Sequence, residues 1–363
     1  MPFNAAFPFQ LPLLPPRASF DEKEIGKLVL DARVKLAELN GLTFSLSNPF
    51  LLLSPAIIKE SIASSEIENI HTTILNVLQN QLFPEDEQRK PDKEVIRYRE
   101  AVMWGFEQRK ELPISTRLIQ GIHKKLIPDL AGSFRNTQNA ILDGKTKEII
   151  YTPPLQTEIS RLMGNLENFI NQQPNFKTPD LDPLVQIAIC HYQFESIHPF
   201  NDGNGRTGRI LMVLQLIENS ILSLPTLYIS GYINKNKNDY YRYLRDVTKT
   251  GKWHDYIAFM LKGFSEQATE TTLLALKIKN LFFDQKKQLK SIYGKIYSSD
   301  LLEALFSFPV ISPVKLGGEL GVHYGTASRY LAQLEKGGFL QSKWVGKYHF
   351  FANTKLLKLI HGS

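Results

Sequence analysis

The 363-residue sequence predicts a mainly α fold, with one β-hairpin in its central part and a small α+β module at its C-terminal end. Three observations carry this. Apolar residues recur at helical spacing along most of the chain, as in Ile210, Leu211, Val213, Leu214, Leu216 and Ile217. A hairpin signal stands at Asp143-Gly144, flanked by Ile141-Leu142 and Glu148–Tyr151. Beyond residue 300, helical runs give way to two short strand-like runs, SKWV and KYHFFA, around Gly346.

The elements follow in order. The opening MPFNAAFPFQLPLLPPRA is apolar, broken by prolines and without a basic start, so it reads as an extended arm on the surface and not as a signal peptide. A Pro-rich ligand segment is the alternative. Residues 21–39 read as a helix with acids in its first turn and a stop at Asn40-Gly41. Helices are expected over 55–79 and 92–110. Asp182-Pro183 is a helix start, a capping residue followed by proline in the first turn. That helix runs through LVQIAICHYQFESI to His198, and a second starts near Asn204 or Gly205; the pair is expected to be the buried centre. Asn234–Leu244 opens a further helix carrying Tyr240 and Tyr241. In the tail, a helix from Asp300, a helix broken at Gly321, a second from about Tyr324 to Lys336 and the hairpin make a winged-helix order. The expected domains are 1–110, 111–275 and 276–363.

Composition narrows the class. A hydrophobic fraction of 43% and a mean hydropathy of −0.20 suit a globular protein, and no apolar run is long enough to span a bilayer, so no membrane partner is expected. The single Cys190 forms no internal disulfide and sits in an apolar helical run, which points to a reducing, cytoplasmic compartment. Residues 276–363 hold 13 Lys and Arg against five Asp and Glu, so the overall charge of +7 belongs to the tail. The simpler source of that excess is a solvated helix face; the other is a nucleic-acid partner.

The chemistry lies in HPFNDGNGRTGR, His198 to Arg209. A glycine-rich turn opening a helix aims backbone N–H groups and the positive dipole end at one point, an anion site. Arg206 and Arg209 lie three apart and can both reach a phosphate. Asp202 is a hard oxygen ligand of the kind magnesium takes, and His198 can accept a proton near neutral pH. Together these describe phosphoryl or nucleotidyl transfer. A plain helix start would explain Asp202, Asn204 and the glycines, but not two arginines where the dipole disfavours positive charge. His191 lacks companions at metal-ligand spacing and reads as a core histidine.

These residues resemble the Fic-domain signature HxFx[D/E]GNGRxxR, matched through His198, Phe200, Asp202, Gly203, Asn204, Gly205, Arg206 and Arg209. Ser133–Pro154 looks like the family's substrate-aligning flap, with Phe134 where many relatives have Tyr. SSEIEN matches the inhibitory motif [S/T]xxxE[G/N] through Ser64, Glu68 and Asn69. It stands N-terminal to the core, the class II arrangement, and the layout is similar to SoFic-type protein adenylyltransferases. The resemblance implies a Fic-type helical domain with a β-hairpin flap, followed by a small winged-helix (α+β) domain.

It also implies an activity. ATP with Mg2+ would lie over the Gly203–Gly205 turn, with the metal on Asp202. His198 would take the proton from a Ser, Thr or Tyr hydroxyl of a target protein, which attacks the α-phosphorus as pyrophosphate leaves. Asn204 and the backbone amides would hold the α-phosphate, Arg209 the γ-phosphate, and Arg206 would support them. Thr207 and Gly208 complete the nucleotide-binding helix start, and Tyr241, with Tyr240 beside it, takes the adenine position. Phe200 would anchor the loop in the core. Glu68 would pair with Arg209 and silence transfer, and in several related proteins the same Glu helps remove AMP. Implied partners are the target protein, the chain itself through automodification, a second copy in a homodimer, and DNA through the winged helix. Two alternatives stay open: a DNA-binding regulator, and a transferase using another nucleotide or a phosphocholine-type diphosphate donor.

Overall fold

The computed structural model describes residues 3–20, 23–44, 48, 50–144, 146–178 and 180–362. They pack as two compact units, one made of 1–40 and 97–268, the other of 41–96 and 269–363. The stretch expected as one N-terminal region is therefore divided between them.

The helices of the N-terminal part are α1 (Lys23–Phe44), α2 (Phe50–Ile67), α3 (Ile74–Asn80) and α4 (Lys90–Gln108). The central part holds α5 (Thr116–Leu126), a hairpin of β1 (Ile141–Leu142) and β2 (Ile149–Tyr151), α6 (Ile159–Ile170), α7 (Pro183–Ile197), α8 (Asn204–Glu218), α9 (Ser230–Lys235) and α10 (Lys237–Thr250). Then come α11 (His254–Ile292), α12 (Ser299–Ser307), β3 (Val310–Ile311), α13 (Pro313–Leu320), α14 (Tyr324–Lys336), β4 (Gln341–Val345), β5 (Tyr348–Ala352) and α15 (Thr354–His361).

In the first unit α7 and α8 form the centre. Both carry apolar residues on every side, the pattern of a helix with no solvent face. Ile187, Phe194, Ile210, Leu214 and their neighbours are buried. The Asp182 carboxylate accepts the Leu184 N–H (2.8 Å) with Pro183 in the first turn, so α7 starts as read. The N-terminal arm packs on this unit: the Phe9 N–H donates to Thr152 O (2.9 Å), and Leu14 exchanges two hydrogen bonds with the Asn165 carboxamide.

In the second unit, β3, β5 and β4 form an antiparallel sheet in that spatial order. Its core joins Ile58 and Ile62 of α2, Val77 and Leu78 of α3, and Val95 of α4 to Val310 of β3 and Phe350 of β5. The helix order α12, α13, α14 and the β4–β5 hairpin follow the sequence reading; β3 and α15 are additions to it. α13 ends at Gly321 (φ 63), in the left-handed region a helix end favours for glycine.

Two expected helices differ. α1 continues through Asn40-Gly41, where the Asn40 side chain accepts the Ser223 N–H (2.9 Å) and Leu39 is buried, so tertiary contacts outweigh the local stop signal. The helix expected over 55–79 is two, α2 and α3, separated by a turn. There Asn69 is left-handed (φ 61), its N–H donates to Glu66 O and the Ile70 N–H donates to Ser65 O, both at 3.0 Å. That pair of bonds is a Schellman stop.

Candidate active site

α7 delivers His198 as its C-cap in a left-handed backbone conformation (φ 49, ψ 59), its N–H donating to Phe194 O at 3.0 Å. A non-glycine residue there costs about 1–2 kcal/mol, so surrounding bonds must hold it. Five residues later Gly203, also left-handed (φ 75), starts α8 with no side-chain cap. The first N–H groups of α8 therefore meet no capping oxygen from Gly203, as an anion site requires. The left-handed backbone favours glycine at Gly203, and a Cβ there would also have to push the Ile127 side chain aside, approaching its Cδ1 to 2.6 Å.

The connecting loop is closed from within. The Asn204 carboxamide donates to Phe200 O and accepts the Phe200 N–H, both at 2.8 Å. The buried Phe200 ring stacks on His123 of α5 with centroids 3.8 Å apart, and His123 Nε2 donates to Asp202 O at 2.9 Å. Burial pushes the His123 imidazole below its ordinary pKa, which keeps it the neutral donor this contact needs.

The Asp202 carboxylate is 70% exposed, accepts the Gly203 N–H at 2.6 Å and sits 3.5 Å from Arg206. Among the described residues no three His, Cys, Asp or Glu cluster as a metal cage. One accessible carboxylate beside an uncapped helix start has the hard-oxygen chemistry that magnesium takes, the rest of its shell coming from other oxygens. Arg206, Thr207 and Arg209 are all buried. Gly208 lets α7 approach, since a Cβ there would strike Glu195 and Phe194.

The two tyrosines separate. Tyr240 is 2% exposed and its hydroxyl lies 2.7 Å from His191 Nε2 inside the core. Tyr241 is 44% exposed, so it alone of the pair offers an open ring to a base. Burial first, then the neighbouring Arg209, pulls the His191 pKa to about 3, the state of a neutral core histidine.

The flap is an antiparallel hairpin, but its turn is wider than Asp143-Gly144 predicts. The Asp143 N–H donates to Glu148 O (2.8 Å), the Lys147 N–H to Asp143 O (3.0 Å), and the Asp143 side chain accepts the Thr146 N–H (2.8 Å). Leu142 and Ile149 are exposed on it, and the Tyr151 hydroxyl donates to Ser196 O (2.7 Å) at the end of α7.

Of the SSEIEN segment, Ser64 is buried in α2, while Glu68 and Asn69 are exposed in the turn after it. Glu68 caps the C-terminal end of α2, where the helix dipole disfavours a carboxylate.

The Fic/DOC sequence model matches residues 113–216 and the Fic/DOC N-terminal model residues 26–107. The C-terminal model of SoFic-like protein adenylyltransferases matches residues 281–356. The chain belongs to the Fic/DOC family. It is 31% identical over 156 residues to a protein adenylyltransferase Fic of Culex quinquefasciatus, covering 42% of this chain and 27% of that protein. A Nematostella vectensis protein of the same name is 28% identical over 182 residues, covering 48% of this chain and 38% of the other. The chain thus spans well under half the length of these relatives. In fold it is similar to a Fic family protein from Desulfovibrio desulfuricans (TM-score 0.58, 21% identity, 93% of this chain and 98% of that one). A Fic domain containing signaling protein from Bacteroides thetaiotaomicron aligns at TM-score 0.51 with 19% identity, over 70% and 97% of the two chains.

Two residues of this Fic chain carry loop contacts that the sequence did not reveal. His123 sits among basic residues ending α5, where it reads as a dipole partner. Arg135 is the flap arginine that follows Phe134 in the family resemblance, but no local feature reveals its contacts, which reach 63 residues along the chain.

Proposed function

We propose that this Fic protein is a protein adenylyltransferase, moving AMP from ATP to a Ser, Thr or Tyr hydroxyl of a target protein. The observation that carries the reading is the uncapped start of α8 at Gly203, set five residues after His198 and beside the exposed Asp202 carboxylate. The triphosphate would be held by the backbone of Gly203–Gly205 and the helix start through Thr207 and Gly208, with Arg209 on the γ-phosphate and Arg206 in support. Asn204 acts by shaping the turn, and Tyr241 takes the adenine face. His198 accepts the hydroxyl proton as oxygen attacks the α-phosphorus and the bond to pyrophosphate breaks. Asp202 would hold Mg2+, which supplies charge neutralisation on the phosphates. Positioning and electrostatics account for most of the rate in such a reaction.

Glu68 is the brake in this reading, pairing with Arg209 so that the γ-phosphate loses its guanidinium; a bidentate carboxylate contact is specific enough for the task. The same Glu would serve AMP removal. The C-terminal unit, read as a winged helix, acts as a regulatory seat for α2. Supporting this, α2 shares its core with β3 and β5, and Glu87 accepts from Lys347 and Tyr348 of the hairpin, both at 3.0 Å. A wing lysine already facing a carboxylate favours regulation over DNA contact. Buried Cys190 supports a reducing, cytoplasmic setting. A homodimer belongs to the same reading, and light scattering tests it.

The deciding experiment is transfer of label from α-labelled ATP with magnesium, alone and in lysate. It compares wild type, Glu68→Gly and Glu68→Gly/His198→Ala. Label on protein only with Glu68→Gly supports both chemistry and brake. Equal label in wild type and Glu68→Gly overturns the brake. Silence in all three turns attention to another nucleotide or diphosphate donor, or to DNA, whose binding would weaken steeply with salt.

A further inference from the structure

Arg135 is 2% exposed, and its guanidinium touches three main-chain carbonyls. Nε donates to His198 O (3.0 Å), Nη1 to Thr137 O (3.1 Å) and Nη2 to Pro154 O. Its backbone N–H donates to Pro199 O at 2.9 Å. Thr137 and Pro154 are the two feet of the flap, and His198 and Pro199 begin the loop that leads to α8. One side chain therefore binds both ends of the hairpin and the residue that would accept the proton. Gln138 ties the feet again, donating to Pro153 O at 2.9 Å.

The choice of residue is telling. Burying a guanidinium costs several kcal/mol, and among the described residues no carboxylate pairs with it to offset that. An apolar residue would serve packing more cheaply. Only arginine presents a planar fork of five N–H donors that can bridge three carbonyls in fixed directions. The carbonyl it grips is that of His198, whose left-handed backbone needs holding from both sides; Phe194 O takes the N–H and Arg135 the C=O.

We propose that Arg135 is a positioning residue that locks the target-aligning flap to the catalytic loop, so that hydroxyl and base are set in register by one guanidinium. This rests on the transfer reading above. In-line attack tolerates little displacement, and misplacement near 1 Å can cost about 100-fold. The phosphate site at Gly203–Arg209 makes no contact with the Arg135 guanidinium among its hydrogen bonds, so nucleotide affinity should survive its loss.

The test places Arg135→Lys and Arg135→Ala in the full-length Glu68→Gly protein and in wild type. Lysine keeps the charge but cannot span the three carbonyls. Two readouts are needed: automodification kinetics with α-labelled ATP, and hydrogen exchange of residues 133–154 and 196–204. The expected result is a fall in kcat of about 100-fold with both substitutions, KM for ATP within about twofold, and exchange rising together in flap and loop. Unchanged kcat, or faster exchange in the flap with the loop unaffected, overturns the proposal. Parallel losses of ATP affinity, kcat and melting temperature would reduce Arg135 to a fold-stabilising residue and also overturn it. If the Glu68→Gly parent transfers no AMP, the activity reading fails, and joint or separate exchange of the two segments still decides whether Arg135 locks them.

Discussion

The Tyr240 hydroxyl and His191 Nε2 lie 2.7 Å apart in the core of the first unit, with Tyr241 turned outward beside them. Adjacent residues of the same type thus have different work. Tyr240→Phe should lower stability by about 1 kcal/mol, the net worth of a buried hydrogen bond, and leave KM for ATP unchanged. Tyr241→Ala should raise KM for ATP several-fold with little change in melting temperature. Thermal unfolding and transfer kinetics on both variants check the split, and the reverse pattern would refute it.

Asn69 is left-handed at the Schellman stop of α2, a backbone position that Asn and Gly suit. Asn69→Gly should keep both stability and the silence of transfer. Asn69→Val places a β-branched residue where it costs about 1–3 kcal/mol. It should lower the melting temperature and raise AMP transfer by shifting Glu68. A valine variant as silent and as stable as wild type would refute this.

Phe350 of β5 and Ile62 of α2 belong to one core cluster, so damage to the C-terminal sheet should reach the proposed Glu68 brake. Phe350→Ala, costing about 3–5 kcal/mol, should raise labelled transfer toward the Glu68→Gly level and add nothing in the Glu68→Gly background. The gentler Ile62→Val, about 0.5–1.5 kcal/mol, should do so partially. Additive effects in the double variant would separate the sheet from the brake.

Burial holds His191 neutral with a pKa near 3, and lowers His123 in the same direction. Unfolded, both take up a proton below about pH 6.5. The unfolded state then binds more protons, so stability is lost as pH falls from about 6.5 toward 3, and is flat above. For His191 the loss by pH 5 is about 2 kcal/mol. His191→Gln should show a smaller fall in melting temperature between pH 7.5 and 5 than wild type; equal falls would count against it.

Much of the local geometry of the candidate site was legible because its signals are local. Asp182-Pro183 starts α7, Gly203 starts α8, and the spacing of His198, Asp202, Arg206 and Arg209 lies within a dozen residues. Turns, caps and helical faces depend on neighbours within about four positions, so one sequence suffices to read them. The stop at Asn69 was equally local, yet the apolar run on either side of it masked the break between α2 and α3.

The sequence by itself determined the helical class, the motif loop, the flap and the order of the C-terminal elements, since each follows from backbone preferences and apolar periodicity at short range. Tertiary structure decided the rest: that Tyr240 is core and Tyr241 open, that His123 and Arg135 grip the loop from 79 and 63 residues away, and that α2 shares a core with β3 and β5. Those outcomes depend on which buried surfaces meet, and contact between distant segments leaves no periodic trace in either one.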